Sequence, residues 1–140
     1  PGSLELFVVL FLLYVMVLVS TPPSQNEEML ITEGQLFGRF QGCCLKVLDR
    51  ERSLKKTIGP HYGKTFTFEN PSGVCVDCQG NVFVADEGQN CIVMFNPDTT
   101  LSAMVVSEGL QGPSGLSMLE HGLVAVADCY NHCVKIYRYK

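Results

Sequence analysis

Residues 70–95 read NPSGVCVDCQGNVFVADEGQNCIVMF, and this stretch decides the fold. Pro71-Ser72-Gly73 is a cluster of chain breakers. Val74 and Val76 follow at the period-two spacing of a strand. Cys78-Gln79-Gly80-Asn81 is turn chemistry, because Gly and Asn accept a positive φ at little cost. Residues 82–85 form an apolar run of strand length, and Asp86 ends it. Residues 87–90 make a second turn, 91–95 a third strand, and Asn96-Pro97-Asp98 closes it before a fourth strand over 101–106. Four short strands joined by tight turns predict an antiparallel meander.

The unit recurs. Gly112-Pro113-Ser114-Gly115-Leu116 matches Asn70-Pro71-Ser72-Gly73-Val74, Ala127-Asp128 matches Ala85-Asp86, and Cys133 to Tyr137 matches Cys91 to Phe95. Each pair is 42 residues apart, within the roughly 40–50-residue period of propeller blades. An earlier copy is partial: Ile31-Thr32-Glu33 aligns with Val84-Ala85-Asp86, and Cys44 to Asp49 with Cys91 to Asn96. Its intervening loop, 34–43, is longer.

These residues resemble NHL repeats. The family's blade has a P-x-G opening, an apolar-Asp strand, a D-x-x-G-N turn, a V-A-D strand end, an N-H-R-like loop and a V-x-V-F strand. Here these are Pro71-x-Gly73, Val76-Asp77, Gln79-Gly80-Asn81, Val84-Ala85-Asp86, Gln89-Asn90-Cys91 and Val93-Met94-Phe95. The last copy keeps Val126-Ala127-Asp128 and Asn131-His132-Cys133. It departs at the turn, where Leu119-Glu120-His121-Gly122 lacks the Asp, and Cys replaces the usual Arg of the loop in both copies. The resemblance covers residues 27–140. It is closest to small NHL-repeat-containing proteins and to the propeller of malin-like and tripartite-motif ubiquitin ligases. It implies an all-β chain: a partial propeller of about three four-stranded blades, with repeats at about 29–59, 70–109 and 112–140. The first and last blades are expected with three strands each. A ring needs ~4–8 blades, so the piece is expected to self-associate or to join missing sequence.

Within a hydrophobic segment at 4–20, residues 4–19 are apolar apart from Glu5, and the unbroken run is 6–19. Its 14 residues fall short of the ~20 of a membrane span and within the ~7–15 of a signal-peptide core. A hydrophobic helix is expected here, as a membrane span or a signal-like segment, with a buried or artefactual segment as the other reading. Residues 21–28, TPPSQNEE, form a polar linker ahead of the repeat region at 29–140. Pro1 is not a translation start, so the sequence reads as a fragment, a processed chain or a partial gene model. Residues 61–68, HYGKTFTF, connect two blades, and Phe66 and Phe68 are expected in the packing between them.

The net charge is −4, against a phosphate-binding surface. Basic residues gather at 46–56 and 135–140 and are read as solvated faces. Seven cysteines, an odd number in a chain of 140 residues, do not suit a disulfide framework. Cys75, Cys91 and Cys133 sit at strand positions and are expected to pack as small hydrophobes, in a reducing compartment. Cys75-x-x-Cys78 has metal-ligand spacing, with Cys129-x-x-x-Cys133 or Cys43-Cys44 as a second pair. Against zinc, a straight strand points Cys75 and Cys78 to opposite faces. His61, His121 and His132 are scattered over linker, turn and loop, and neither a Ser nucleophile elbow nor a Gly-rich phosphate loop is present. No catalytic residue, metal or cofactor is expected. Asp86 and Asp128 are read as structural carboxylates accepting amides of the loop that follows, in preference to calcium ligands.

The resemblance implies a protein-interaction module. In the ligases of this family the propeller recruits substrates or RNA, and a separate RING domain transfers ubiquitin. The loop rim is expected to carry the contacts: Glu87, Gln89 and Asn90 in one loop, Tyr130, Asn131 and His132 in its repeat-equivalent. Partners are expected to be proteins, a second copy, and a membrane through 4–20. The charge balance argues against nucleic acid. An RNA-binding face, or a fragment of a secretory propeller lyase or hydrolase, are the alternatives. The expected location is membrane-associated with the repeats in the cytoplasm, or soluble in the cytoplasm.

Overall fold

A computed structural model describes residues 15–20 as a strand path and residues 28–34, 43–59, 66–100 and 102–140 in full. It holds three antiparallel sheets. The first is β1 (Val15–Ser20), β2 (Met29–Glu33), β3 (Cys44–Leu48) and β4 (Leu54–Ile58). The second is β5 (Pro71–Val76), β6 (Val82–Asp86), β7 (Cys91–Phe95) and β8 (Ser102–Val106). The third is β9 (Pro113–Leu119), β10 (Leu123–Asp128) and β11 (Cys133–Arg138). Each sheet is a simple meander in chain order. We call them blades 1, 2 and 3.

Two expectations change. The hydrophobic helix is not supported. Residues 15–20 are a strand, β1, paired antiparallel with β2 from Val15↔Glu33 to Ser20↔Met29. Residues 4–14 of that segment, and 21–27 of the linker, lie outside the described residues. Among the described residues no helix is long and apolar enough to cross a membrane. Blade 1 therefore has four strands rather than three, its first coming from the apolar run. Val15, Val17 and Val19 are β-branched and suit an extended backbone.

The blades stack through their first strands. β5 lies against β1 on one side and β9 on the other. Gly73 makes this close approach possible: a Cβ there would sit 1.9 Å from the carbonyl oxygen of Ser114. Blade 2 is thus covered on both faces, and all five residues of β6 are buried. Its face toward blade 1 contributes Val74, Val82, Val84, Val93 and Phe95 to a core shared with Leu30, Leu45, Val47 and Ile58. Phe66 and Phe68 join this core, with ring centroids 6.3 and 5.9 Å from Phe95. The face toward blade 3 contributes Cys75, Phe83, Ala85 and Ile92, packed on Val124 and Val126. Full burial of each large side chain contributes about 1.5–3 kcal/mol, so the two interfaces, not the hairpins alone, hold the fold.

The turns follow local chemistry. Asp77 accepts the amides of Gln79 and Asn81 at 2.9 Å each, and Gly80 takes φ 87°. Blade 3 lacks that Asp and turns with His121 (φ 60°) and Gly122 (φ 73°) instead.

Candidate partner-binding rim

Antiparallel order puts the β6–β7 and β10–β11 loops at one rim and the β5–β6 and β7–β8 turns at the other. Asp86 and Asp128, both fully buried, anchor the first rim. Asp86 accepts the backbone amides of Glu69 and Asn70 at 2.9 Å each, and that of Gln89 at 3.2 Å. Asp128 accepts the Gln111 amide at 2.6 Å, Asn131 Nδ2 at 2.7 Å and Lys135 Nζ at 2.7 Å. Their role is structural, but most backbone donors come from the connector before the blade, not from the loop after the aspartate. Each carboxylate thereby clamps a blade's entering chain to its own second strand. Burial raises the pKa of Asp128, but the hydrogen bonds from Lys135, Asn131 and Gln111 outweigh it and hold the carboxyl at about 2.

The six rim residues divide by what they touch. Gln89 and Asn131 turn inward: Gln89 Nε2 donates to Asp86 and to the Thr67 carbonyl, and Asn131 Nδ2 to Asp128. Asn90 and His132 end their loops in the left-handed region, at φ 51° and 53°, a conformation that Asn and His accept more readily than most residues. Asn90 also crosses to the next blade, where its Oδ1 accepts the Gly112 amide at 2.8 Å. Tyr130 lies over Gly112, where a Cβ would come within 2.3 Å of its ring. Its hydroxyl donates to Glu87 at 3.1 Å. The two loops therefore form one connected surface across the blade boundary. Tyr130, 66% exposed, is its most prominent apolar group, with Glu87 beside it and His132 exposed.

The cysteine pattern is resolved by burial. Cys75 is buried in β5, and Cys78 is exposed in the turn that follows it. Cys91 is buried as expected, but Cys133 is exposed: it ends the loop on the outer strand of blade 3. Burial pushes the thiols of Cys44 and Cys75 up to about 12 and that of Cys91 to about 11. Among the described residues no three His, Cys, Asp or Glu side chains converge as a metal site. His61 and the remainder of residues 61–65 lie outside the described residues.

The opposite rim carries features that sequence reasoning missed. Asp77 receives Tyr139 Oη at 3.3 Å and Lys140 Nζ at 3.4 Å, latching the end of blade 3 to blade 2. Tyr139 also packs edge-on to Phe83, centroids 4.7 Å apart. A cleft of about 500 Å³ opens between blades 1 and 2, with Leu30, Val47 and Val82 on its walls and Lys55, Lys56 and Asp98 at its mouth. Its lysines are engaged, Lys55 by Glu28 and Lys56 by the Asp98 carbonyl.

The sequence profile described as NHL repeat matches residues 68–95 and 110–137, the segments that build most of blades 2 and 3. The human NHL-repeat-containing protein 4 is 36% identical over 87 residues, which are 61% of this chain and 70% of that protein. This chain belongs to the NHL-repeat family. The repeats resembled at the level of sequence are thus the family's own. Its mouse NHL-repeat-containing protein 4 relative is 36% identical over 72 residues, 51% of this chain and 52% of that protein. The mouse E3 ubiquitin-protein ligase TRIM32 is 35% identical over 114 residues, 81% of this chain but 17% of the ligase. The NHL chain thus spans less than a fifth of that relative's length.

Proposed function

We propose that this chain is a protein-interaction module that binds partner proteins through the rim formed by residues 87–90 and 129–132. The observation that carries the reading is the link between the two loops. Tyr130 to Glu87, and Gly112 to Asn90, fasten neighbouring blades into one preformed surface. A surface fixed before binding loses little conformational freedom on association. An exposed Tyr flanked by a carboxylate and a His has the composition of an interface anchor.

The likeness to TRIM32 supports a finer reading: the rim selects proteins for ubiquitination, and transfer chemistry is performed by another domain or chain. On this reading the rim residues bind and do not catalyse. Affinity capture with quantitative mass spectrometry tests it. Glu87→Ala combined with Tyr130→Ala and His132→Ala should lose the partners that wild type enriches. Gln79→Ala, on the opposite rim, should keep them. Equal capture by wild type and the triple variant refutes the assigned surface. Enriched proteins whose ubiquitination is unchanged when the chain is removed refute the finer reading alone.

A further inference from the structure

Blade 3 has a face that blade 2 uses to receive its neighbour. The residues follow from the 42-residue repeat. Where blade 2 presents Cys75, Phe83, Ala85, Ile92 and Met94 toward blade 3, blade 3 presents Ser117, Ala125, Ala127, Val134 and Ile136 on its far side. Ile92 is fully buried, whereas Val134 is 67% and Ile136 60% exposed. The backbone is prepared in the same way. Gly73 is crowded by Ser114, but among the described residues a Cβ on its equivalent, Gly115, would meet only Ala127 Cβ at 3.6 Å.

The near side of blade 3 shows what such a face receives. Val124, Val126 and Tyr137 pack toward blade 2, beside the Asp128–Lys135 ion pair. Blade 1 repeats this set on its side away from blade 2. Met29, Ile31 and Leu48 stand at the positions of Val124, Val126 and Tyr137, and Glu33–Lys46 is the matching ion pair. All three apolar residues are half-buried, where their blade 2 equivalents Val82, Val84 and Phe95 are buried. Volumes also compensate. Phe83 meets a surface containing Val124, whereas the smaller Ala125 would meet Met29.

We propose that the far face of blade 3 docks blade 1 of a second copy, head to tail. Two copies exchange two such contacts and stack six blades, within the ~4–8 of a closed ring. The contact continues the internal blade 2–blade 3 interface, and of the rim it borders only Cys129 and His132, the repeat-equivalents of Glu87 and Asn90.

Sedimentation equilibrium of the 140-residue chain at roughly 100 µM tests this. The expected species has twice the 15.4 kDa chain mass. Among the described residues Gly115→Ala meets no atom closer than 3.6 Å, so its dichroism should match wild type. It should nevertheless weaken the dimer at least tenfold, about 1.4 kcal/mol, because a docked strand would place a carbonyl on the new methyl. Val134→Asp should do the same. Ile31→Asp, with Leu48→Asp as a second choice should the first misfold, should break the other half of the contact. Mixing Gly115→Ala with Ile31→Asp should restore a dimer, since one of its two contacts is then wild type on both sides.

A monomeric or polydisperse wild type overturns the proposal; the monomer would assign the face to a blade supplied within a longer chain or to another protein. A dimer that Gly115→Ala leaves unchanged overturns it by placing the contact elsewhere. Failure of the mixture to recover overturns the head-to-tail geometry.

Discussion

Gly73→Ala is the sharpest test of how the blades are stacked. The added Cβ would lie 1.9 Å from the Ser114 oxygen and 3.0 Å from its carbonyl carbon. Both atoms are backbone, so no side-chain rotation relieves the clash. β5 and β9 must separate by about 1 Å or more, and an overpacked core costs about 1–3 kcal/mol. That separation also strains the bond from Ser72 Oγ to the Pro113 carbonyl, 2.8 Å long and buried. Its loss adds about 0.5–1.5 kcal/mol. The expected destabilisation is therefore about 2–4 kcal/mol. Gly115→Ala supplies the internal control, since the same substitution one repeat later has room. There it should be neutral or stabilise by about 0.4–1 kcal/mol through the unfolded chain. Urea denaturation followed by dichroism, at concentrations low enough to keep the chain monomeric, reads both. With a slope of about 1–3 kcal/mol per molar, Gly73→Ala should lower the midpoint by about 1 M or more. Equal midpoints for the two variants would refute the stacking argument.

Two further predictions follow from buried groups. Asp128, held at about 2 in the fold against about 3.9 unfolded, has a depressed pKa. Its stabilisation is complete above the unfolded value and is lost as pH falls from about 4 toward 2. Asp128→Asn should flatten that part of a stability–pH profile, and an unchanged profile would remove the clamp assigned to it. Cys43, Cys44, Cys75 and Cys91 are buried while Cys78, Cys129 and Cys133 are exposed. A thiol reagent on native protein should label the latter three at once and the former four only on unfolding, and fast labelling of Cys75 would contradict its burial.

The repeat was legible because turn residues and buried strands recur together: Pro-Ser-Gly, Ala-Asp and Cys-x-x-x-aromatic return at one spacing. β1 was not legible as a strand. Residues 15–19 are apolar at every position and so show no apolar–polar alternation. A continuous apolar run does not distinguish strand from helix by period alone. Its lack of charge pointed to a membrane span or a signal core, and the β-branched valines at 15, 17 and 19 were the unused signal. Of the rim, the loops and their buried aspartates were readable. The clamp donors were not, since the Glu69, Asn70 and Gln111 amides lie 16 or 17 residues before their acceptors. Nor does any local rule tell that Gln89 and Asn131 point inward while Tyr130 points out. That depends on the neighbouring blade. The Asp77–Tyr139 latch spans 62 residues and was invisible for the same reason.

The buried hydroxyl-to-carbonyl hydrogen bonds between blades run in one direction along the chain. Thr32 of blade 1 donates to the Ser72 carbonyl of blade 2, and Ser72 donates in turn to the Pro113 carbonyl of blade 3. At the two rims the sense is opposite: Glu87, Asn90 and Asp77 of blade 2 accept from Tyr130, the Gly112 amide and Tyr139. A buried hydroxyl of the earlier blade is nonetheless satisfied by a carbonyl of the later one. A ribosome releases this chain in the same sense. Each of the first two blades emerges with a hydroxyl, on Thr32 or Ser72, whose carbonyl partner arrives with its successor. The stack therefore has an arrow: removing blade 3 takes the Pro113 carbonyl from the buried Ser72 hydroxyl, while removing blade 1 takes a donor from the Ser72 backbone carbonyl, which water can serve.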